Sequence, residues 1–293
     1  MTELLDWYGP RRLAYPWRAA PSPYGVLVAE VMLQQTQVAR VVPSWERFMG
    51  GFPSVSVLAA ADLASVLRAW AGLGYNRRAA ALHRSAGQVV AAHGGIIPSS
   101  VGELRRLPGV GAYTAAAVAS CAYGVPVAAV DVNVRRVVAR ARLGAPASQV
   151  TPSVVADEAQ AWLDGRDERD PGAWNQALMD LGREHCRAVP RCEGCPLASA
   201  CRFRRAGGAA AGGVAGTAAA APAATRRPSP FAGSTRQLRG RIVEALRQVP
   251  SLPVGELAGR WAESGPRVSA AVDALVAEGL VALEPNGRVR LGG

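Results

Sequence analysis

The sequence predicts an all-α fold over its first two hundred residues, and three observations carry that prediction. Residues 58–70 (Leu-Ala-Ala-Ala-Asp-Leu-Ala-Ser-Val-Leu-Arg-Ala-Trp) and 77–93 place their apolar side chains at helical spacing. Glycine and proline clusters punctuate such segments at Gly50-Gly51-Phe52-Pro53, Gly94-Gly95 and Pro98. No sustained alternation of apolar and polar residues, the mark of a half-buried strand, occurs before residue 280.

The elements follow in order. Residues 28–37 (Val-Ala-Glu-Val-Met-Leu-Gln-Gln-Thr-Gln) set a lone Glu30 in an apolar helix. Residues 114–130 form the most apolar stretch; rich in Ala but interrupted by Gly124 and Pro126, it reads as a buried helix and not a membrane span. Residues 206–230 (Ala-Gly-Gly-Ala-Ala-Ala-Gly-Gly, ending Arg-Arg-Pro-Ser-Pro) lack the bulk to pack, which predicts a flexible linker over 205–230. Beyond it, residues 235–248, 254–261 and 267–278 have helical patterns, and 280–291 reads as a hairpin around Asn286-Gly287. Three helices and a hairpin make a small C-terminal winged helix-turn-helix over 231–293. Its eight Arg against six acids from Thr235 onward leave DNA contact and protein packing equally open.

The chain carries 33 basic and 22 acidic residues, a formal net charge of +11, and it contains no lysine. Such a balance favours a polyanionic partner, nucleic acid first, and Arg suits bidentate phosphate contact. Without a side-chain amine, no Schiff base forms on lysine. No basic leader or apolar run marks the start of the chain, so the expected compartment is a reducing cytoplasm.

Four residue groups carry chemistry. Leu107-Pro108-Gly109-Val110-Gly111 between two helical segments can expose N–H groups to a phosphate at a helix start. Asp131, after an apolar run and before a helical one, suits an N-cap, an active-site anion or both. Glu30, in apolar company, suits a solvent-facing helix position or a general acid of raised pKa. Two carboxylates, one acid and one charge stabiliser, are what glycosidic-bond cleavage needs. Cys186, Cys192, Cys195 and Cys201 fall within sixteen residues at gaps of five, two and five. Zinc usually takes two Cys-x2-Cys pairs; two disulfides fit a short extracellular chain; the unequal gaps suit a cubane iron–sulfur cluster better. Cys121 stands apart as a small core residue.

Taken together, Pro16-Trp17-Arg18, Glu30-Val-Met-Leu-Gln-Gln-Thr-Gln, Gly72-Leu-Gly-Tyr75, Leu107-Pro-Gly-Val-Gly111, Asp131-x-Asn133-Val and the cysteine quartet resemble, in order and spacing, the MutY-type adenine DNA glycosylases of the helix–hairpin–helix, endonuclease III superfamily. The resemblance covers residues 1 to about 204 and implies a glycosylase domain there. It implies that Glu30 is the general acid, Asp131 the stabiliser of the sugar cation and Asn133 its neighbour. Tyr113 stands where related lyases carry their Schiff-base lysine, which implies a monofunctional enzyme. Trp17, Arg18 and Gln176 match the adenine pocket, and Gln35 and Tyr75 match residues that wedge into the base stack. The cysteines match ligands of a structural [4Fe–4S] cluster at residues 186–201, holding a loop with Arg187 and Arg191 towards DNA. The implied partner is double-stranded DNA with a mismatched or oxidised base pair, and the implied state a monomer associated with the nucleoid.

Several positions depart from the family pattern. The first cysteine gap is five instead of six, Val132 stands where Gly or Thr is usual, and Asn76 replaces a second aromatic. Residues 205–293 are too few for the Nudix-like domain that reads 8-oxoguanine. Two other readings compete: a thymine or uracil mismatch glycosylase of the same fold, and a non-catalytic DNA-binding regulator.

Overall fold

The computed structural model describes residues 3–12, 15–165, 170–208 and 231–292. The helices are α1 (Glu3–Tyr8), α2 (Pro16–Ala19), α3 (Pro23–Leu33), α4 (Val38–Gly51), α5 (Val55–Ala60), α6 (Leu63–Ala69), α7 (Arg77–His93), α8 (Val101–Leu104), α9 (Ala112–Tyr123), α10 (Val132–Ala141), α11 (Pro152–Asp164), α12 (Pro171–Glu184) and α13 (Arg202–Arg205). A terminal group adds α14 (Thr235–Gln248), α15 (Val254–Trp261) and α16 (Gly265–Ala277), with strands β1 (Leu252–Pro253), β2 (Val281–Leu283) and β3 (Arg288–Leu291). The all-α prediction with a small winged helix therefore holds. The flexible linker expected over 205–230 lies outside the described residues from 209 onward.

The chain divides into two compact units, one drawn from Met1–Glu30, Pro98–Arg106 and Val110–Thr225, the other from Val31–Ile97, Leu107–Gly109 and Arg226–Gly293. In the first, α1, α10, α11 and α12 bury Leu4, Tyr8, Val134, Val138, Leu178 and Leu181, with Trp162 edge-on to Trp174 at 5.8 Å. In the second, Leu58, Leu67, Val89 and the edge-on pair Phe48–Trp70 fill the space among α4 to α7. The same unit contains the terminal group, whose sheet runs in the order β1-β3-β2, all antiparallel. Leu238, Ile242, Val268, Val272 and Val289 form its interior.

Local chemistry sets the helix ends. Residues 58–70 do not form the single helix their spacing predicts. Asp62 accepts from the Ser65 N–H at 2.8 Å, which caps α6 and separates it from α5. The apolar stretch 114–130 is likewise only half helical. Gly124, at φ +66°, ends α9, and an extended segment follows.

That segment's backbone groups have no helical or sheet partners, so side chains supply them. Asn175, fully buried, accepts from the Ala129 N–H at 2.7 Å and donates to the Val127 carbonyl at 2.9 Å. Gln160 accepts from the Ala128 N–H at 3.0 Å and donates to the Pro126 carbonyl at 3.1 Å. One glycine matters for packing here: a Cβ on Gly182 of α12 would lie 2.7 Å from the Asn133 Cβ, so only glycine lets α12 approach the start of α10 this closely.

Substituting Asn175→Ala leaves the buried Ala129 N–H unpaired, at a cost of about 1–3 kcal/mol, and the half-buried Val127 C=O unpaired at a smaller cost. The thermal unfolding midpoint of the variant is expected several degrees below the parent's. An unchanged midpoint would show that water replaces both bonds.

Candidate active site

Glu30 lies near the end of α3 and is 9% exposed, among Val26, Leu27, Val28 and Ala29, all buried. Burial is the main force on its carboxyl and pushes its pKa up from 4.5 to about 7. A hydrogen bond from Tyr113 and the Arg18 charge pull it down, and Asp131 pushes it up again. The helix is apolar all round, so Glu30 has no solvent face. Tyr113, the second residue of α9, shares its hydroxyl between Glu30 and the Met179 sulfur, 3.2 Å away. Its phenol is pushed well above its ordinary range, by burial first and by the two carboxylates next, so it remains an O–H donor.

Asp131 is the N-cap of α10. Its Oδ1 accepts from the Asn133 N–H at 2.8 Å and the Val134 N–H at 2.7 Å, and its Oδ2 accepts from Asn133 Nδ2 at 2.8 Å. Cap and functional anion are the same group: three donors fix the carboxylate at the positive end of a helix. Asn133 is fixed in turn by Arg136, which donates to its Oδ1 at 2.9 Å and to the Gly182 carbonyl at 2.7 Å.

Trp17 is 4% exposed and stacks on Tyr15 at 5.3 Å. Arg18 lies 4.9 Å from the Tyr15 ring centre and forks onto Asp180 at 2.7 and 3.2 Å, both side chains nearly buried. Burial opposes the Arg18 charge, and the Asp180 carboxylate outweighs it. Gln176 accepts from the Tyr8 hydroxyl and donates to the Cys121 sulfur at 3.4 Å. Tyr8 and Cys121 are pushed up to about 12 and about 11, both by burial first, and so stay neutral. Thus Glu30, Tyr113, Asp131, Arg18 and Gln176 belong to one network, joined by Tyr8, Asp180 and Cys121. Asp180 and Tyr8 carry no motif that sequence reasoning singled out. Asp180 follows Gln176 by four on a helix, the only signal available.

In the second unit, Gln35 and Tyr75 adopt φ +57° and +46°, rare for residues with side chains. Tyr75 is 54% exposed. Sequence reasoning missed what holds them. Arg78 donates to the carbonyls of Val31 (3.0 Å), Met32 (2.8 Å) and Gln34, to Thr36 Oγ1 (3.0 Å) and to the carbonyls of Leu73 (3.2 Å) and Gly74 (3.3 Å). Its guanidinium also lies 5.3 Å from the Tyr75 ring centre. Burial lowers its pKa to about 10, still charged at neutral pH.

The turn at residues 107–111 uses both its glycines. Gly109 has φ +77°, and a Cβ there would lie 2.9 Å from the Ala81 Cβ. Gly111 is the N-cap of α9. Leu107 and Val110 are buried, so this turn offers backbone and not side chains.

Cys186, Cys192, Cys195 and Cys201 are free thiols lining one pocket with Arg140, His185 and Phe203. Arg140 donates to Cys186 Sγ at 3.5 Å and to the Ala188 carbonyl at 2.9 Å, and packs 5.4 Å from the Phe203 ring centre. Arg187 and Arg191 are exposed on the same loop. Among the described residues, no three His, Cys, Asp or Glu side chains converge as ligands of a single metal ion.

Residues 28–163 match the family model of the HhH-GPD superfamily of base excision DNA repair proteins. The adenine DNA glycosylase of Mycolicibacterium smegmatis is 43% identical over 99% of this chain and 95% of its own. That of Mycobacterium tuberculosis is 40% identical over 100% and 93%. The human enzyme of that name is 41% identical over 69% of this chain and 39% of its own. Among solved structures, a thermostable thymine-DNA glycosylase superposes with a TM-score of 0.62 at 27% identity, covering 70% of this chain and 94% of its own. A trapped endonuclease III–DNA covalent intermediate superposes at 0.58 and 25% identity, covering 70% and 93%. On identity sustained along almost its whole length, this chain belongs to the adenine DNA glycosylases of the HhH-GPD base excision repair superfamily, and it is a DNA N-glycosylase.

Proposed function

We propose that the chain removes adenine mispaired with 8-oxoguanine or guanine in double-stranded DNA, by hydrolysis alone, leaving an abasic site. The observation that carries the assignment of roles is the unlike setting of the two carboxylates. Glu30 is buried enough to hold a proton near neutral pH, while Asp131 is tied by three N–H donors at a helix start. Glu30 gives its proton to the flipped adenine as the N-glycosidic bond breaks, and the base leaves neutral. Asp131 faces the positive charge that develops on the sugar. Water then adds to the anomeric carbon and gives its proton to the Glu30 carboxylate, which restores the acid. Tyr113, an O–H donor, orients Glu30. The chain has no lysine to form a Schiff base. Trp17, Arg18 and Gln176 surround the extruded base, Arg18 held by Asp180 and Gln176 by Tyr8.

DNA is gripped by the backbone at Gly109 and Gly111, by Arg187 and Arg191, and the stack is opened by Gln35 and Tyr75. Extrusion costs a few kcal/mol and less at a mismatch, which favours mispaired adenine.

The four thiols fit a [4Fe–4S] cluster better than zinc. Zinc usually takes two Cys-x2-Cys pairs and only one is present, whereas gaps of five, two and five residues suit a cubane with one cysteine on each iron, and all four thiols line one pocket. Bound, the cluster would supply a fixed crosslink for residues 186–201 and hence for the attitude of Arg187 and Arg191. Purified protein should contain iron and acid-labile sulfide in equal amounts, and Cys192→Ser should lose both; zinc in their place would refute the assignment.

Single-turnover assays on A·8-oxoguanine, A·G, T·G and U·G duplexes test the activity. Alkali-dependent breaks at adenine only are expected, and breaks at T or U would move the substrate class. Glu30→Gln is expected to lower the rate by about a hundredfold or more while duplex binding persists. Tight binding by the parent without cleavage of any duplex would indicate a regulator.

The raised pKa of Glu30 makes two pH predictions. Activity should fall about tenfold per unit as pH rises above about 7, where the acid form is lost. Stability follows the same group. Its folded pKa of about 7 exceeds its ordinary 4.5, so its ionisation weakens the fold as pH rises through 7. Glu30→Gln should therefore gain stability over the parent at pH 8.5, by about 3 kcal/mol at most, with little gain at pH 4.5. Equal unfolding midpoints for both proteins at pH 8.5 would contradict the burial argument.

A further inference from the structure

The terminal winged helix has the pattern of a DNA-binding module, but its surface is wrong for that use. Five of its six acids are paired within it: Glu278 with Arg239, Glu244 with Arg247, Glu256 with Arg260 (2.8 Å), Glu263 with Arg267 (2.5 Å) and Glu284 with Arg290 (3.6 Å). The exposed positions of α16, the helix that would enter a groove, are Gly265, Pro266, Ser269, Ala270, Asp273, Val276 and Ala277, with no cation among them. Arg267 at its start is tied to Glu263 and to the Gly233 carbonyl.

What the module does touch is the segment that carries Tyr75. The Arg247 side chain, 7% exposed, leaves α14 and donates from Nε to the Leu67 carbonyl at 3.0 Å and from Nη2 to Asn76 Oδ1 at 2.9 Å. Leu67 is in the last turn of α6, where a carbonyl lacks a helical partner. Two further contacts lie alongside. Arg77 approaches Glu278 at 4.0 Å, and Gly292, at φ +78°, sits so near α6 that a Cβ would be 3.3 Å from the Ala64 nitrogen. Between Leu67 and Asn76 the chain is braced again, by Trp70 Nε1 donating to the Gly74 carbonyl at 3.2 Å and by Arg78 donating to the same carbonyl at 3.3 Å. The loop at 72–76 is therefore held from inside by Arg78 and from the terminal module by Arg247.

We propose that the terminal module is a brace for the loop that enters the base stack, and that Arg247 is its positioning residue, acting through Asn76 to fix Tyr75 at its unfavourable positive φ. Asn76 is then a matched partner for Arg247, which accounts for an amide at a position where the family pattern has an aromatic. The proposal rests on the assignment of Tyr75 as the wedge.

The test uses the full-length protein and a duplex with 2-aminopurine, a fluorescent adenine analogue, at the mispaired position; its emission rises when it leaves the stack. Tyr75→Ala is the control and should abolish the rise. Arg247→Ala and Asn76→Ala should each lower the rise and the single-turnover rate, by about three- to tenfold. The pH profile set by Glu30 should be unmoved. The two losses should not add in the double variant, because both break one contact. Arg247→Lys, which can keep one of the two bonds, should restore part of both signals; this variant and Asn76→Ala decide the matter if Arg247→Ala does not fold. A full fluorescence rise and rate in Asn76→Ala, or additive losses in the double variant, overturn the brace. Loss of the rise in Tyr75→Ala with none in the other variants overturns the brace alone, and an unchanged rise in Tyr75→Ala overturns the wedge assignment beneath it.

Discussion

Withdrawing the Glu30 carboxyl from water shapes much of the first unit. A carboxylate in an apolar helix is expensive to ionise, and among the described residues no salt bridge to Glu30 relieves that cost. The fold places Arg18 near enough to moderate the carboxyl, but commits the fork of Arg18 to Asp180. Had Arg18 paired with Glu30 directly, the carboxyl would be an anion at neutral pH and useless as an acid. Asp180 thus sets the chemistry of a residue it does not touch, by occupying the nearly buried guanidinium of Arg18. A second arginine, Arg183, adds to Asp180 at 3.2 Å from the solvent side.

Throughout the chain, arginine does work that glycine-rich and extended segments cannot do for themselves. Arg136 joins the start of α10 to α12 and to the Cys186 carbonyl. Arg135 closes the stretch after α10 through the carbonyls of Ala147 and Val150, at 3.0 and 2.8 Å. Arg140 holds the cysteine loop, and Arg78 the loops of Gln35 and Tyr75. Each spans segments distant in sequence with one planar fork, a geometry an ammonium group does not offer. The net positive charge that reads as an attraction for DNA is therefore spent in part on internal architecture.

Much of this was legible in the sequence because it depends on local chemistry. Asp131 before a helical run was a cap candidate, and it is one. The cysteine spacing placed four thiols together, and the Asn286-Gly287 hairpin formed as expected. Glu30 in an apolar run was ambiguous between surface and interior, and the absence of any polar face on α3 resolved it. Long-range partners were not legible. Nothing near Asp180 in sequence announces Arg18, 162 residues away, and nothing near Arg247 announces Asn76. Helix breaks failed for a related reason. The apolar period runs smoothly through Asp62, but its side chain competes for the backbone and wins. Past Gly124, the two side chains that satisfy an extended backbone come from α11 and α12, beyond the window that periodicity can see.

The six acceptors gathered by two nitrogens of Arg78 also bear on how this chain can drift. The chain contains no lysine, and at most surface positions an arginine-to-lysine change would matter little. Residue 78 is different. An ammonium has three donors on a flexible stem, with no flat face to lie against the Tyr75 ring. An Arg78→Lys change would leave most of the six acceptors in these two loops without a donor, so the same substitution that is mild at the surface is costly here.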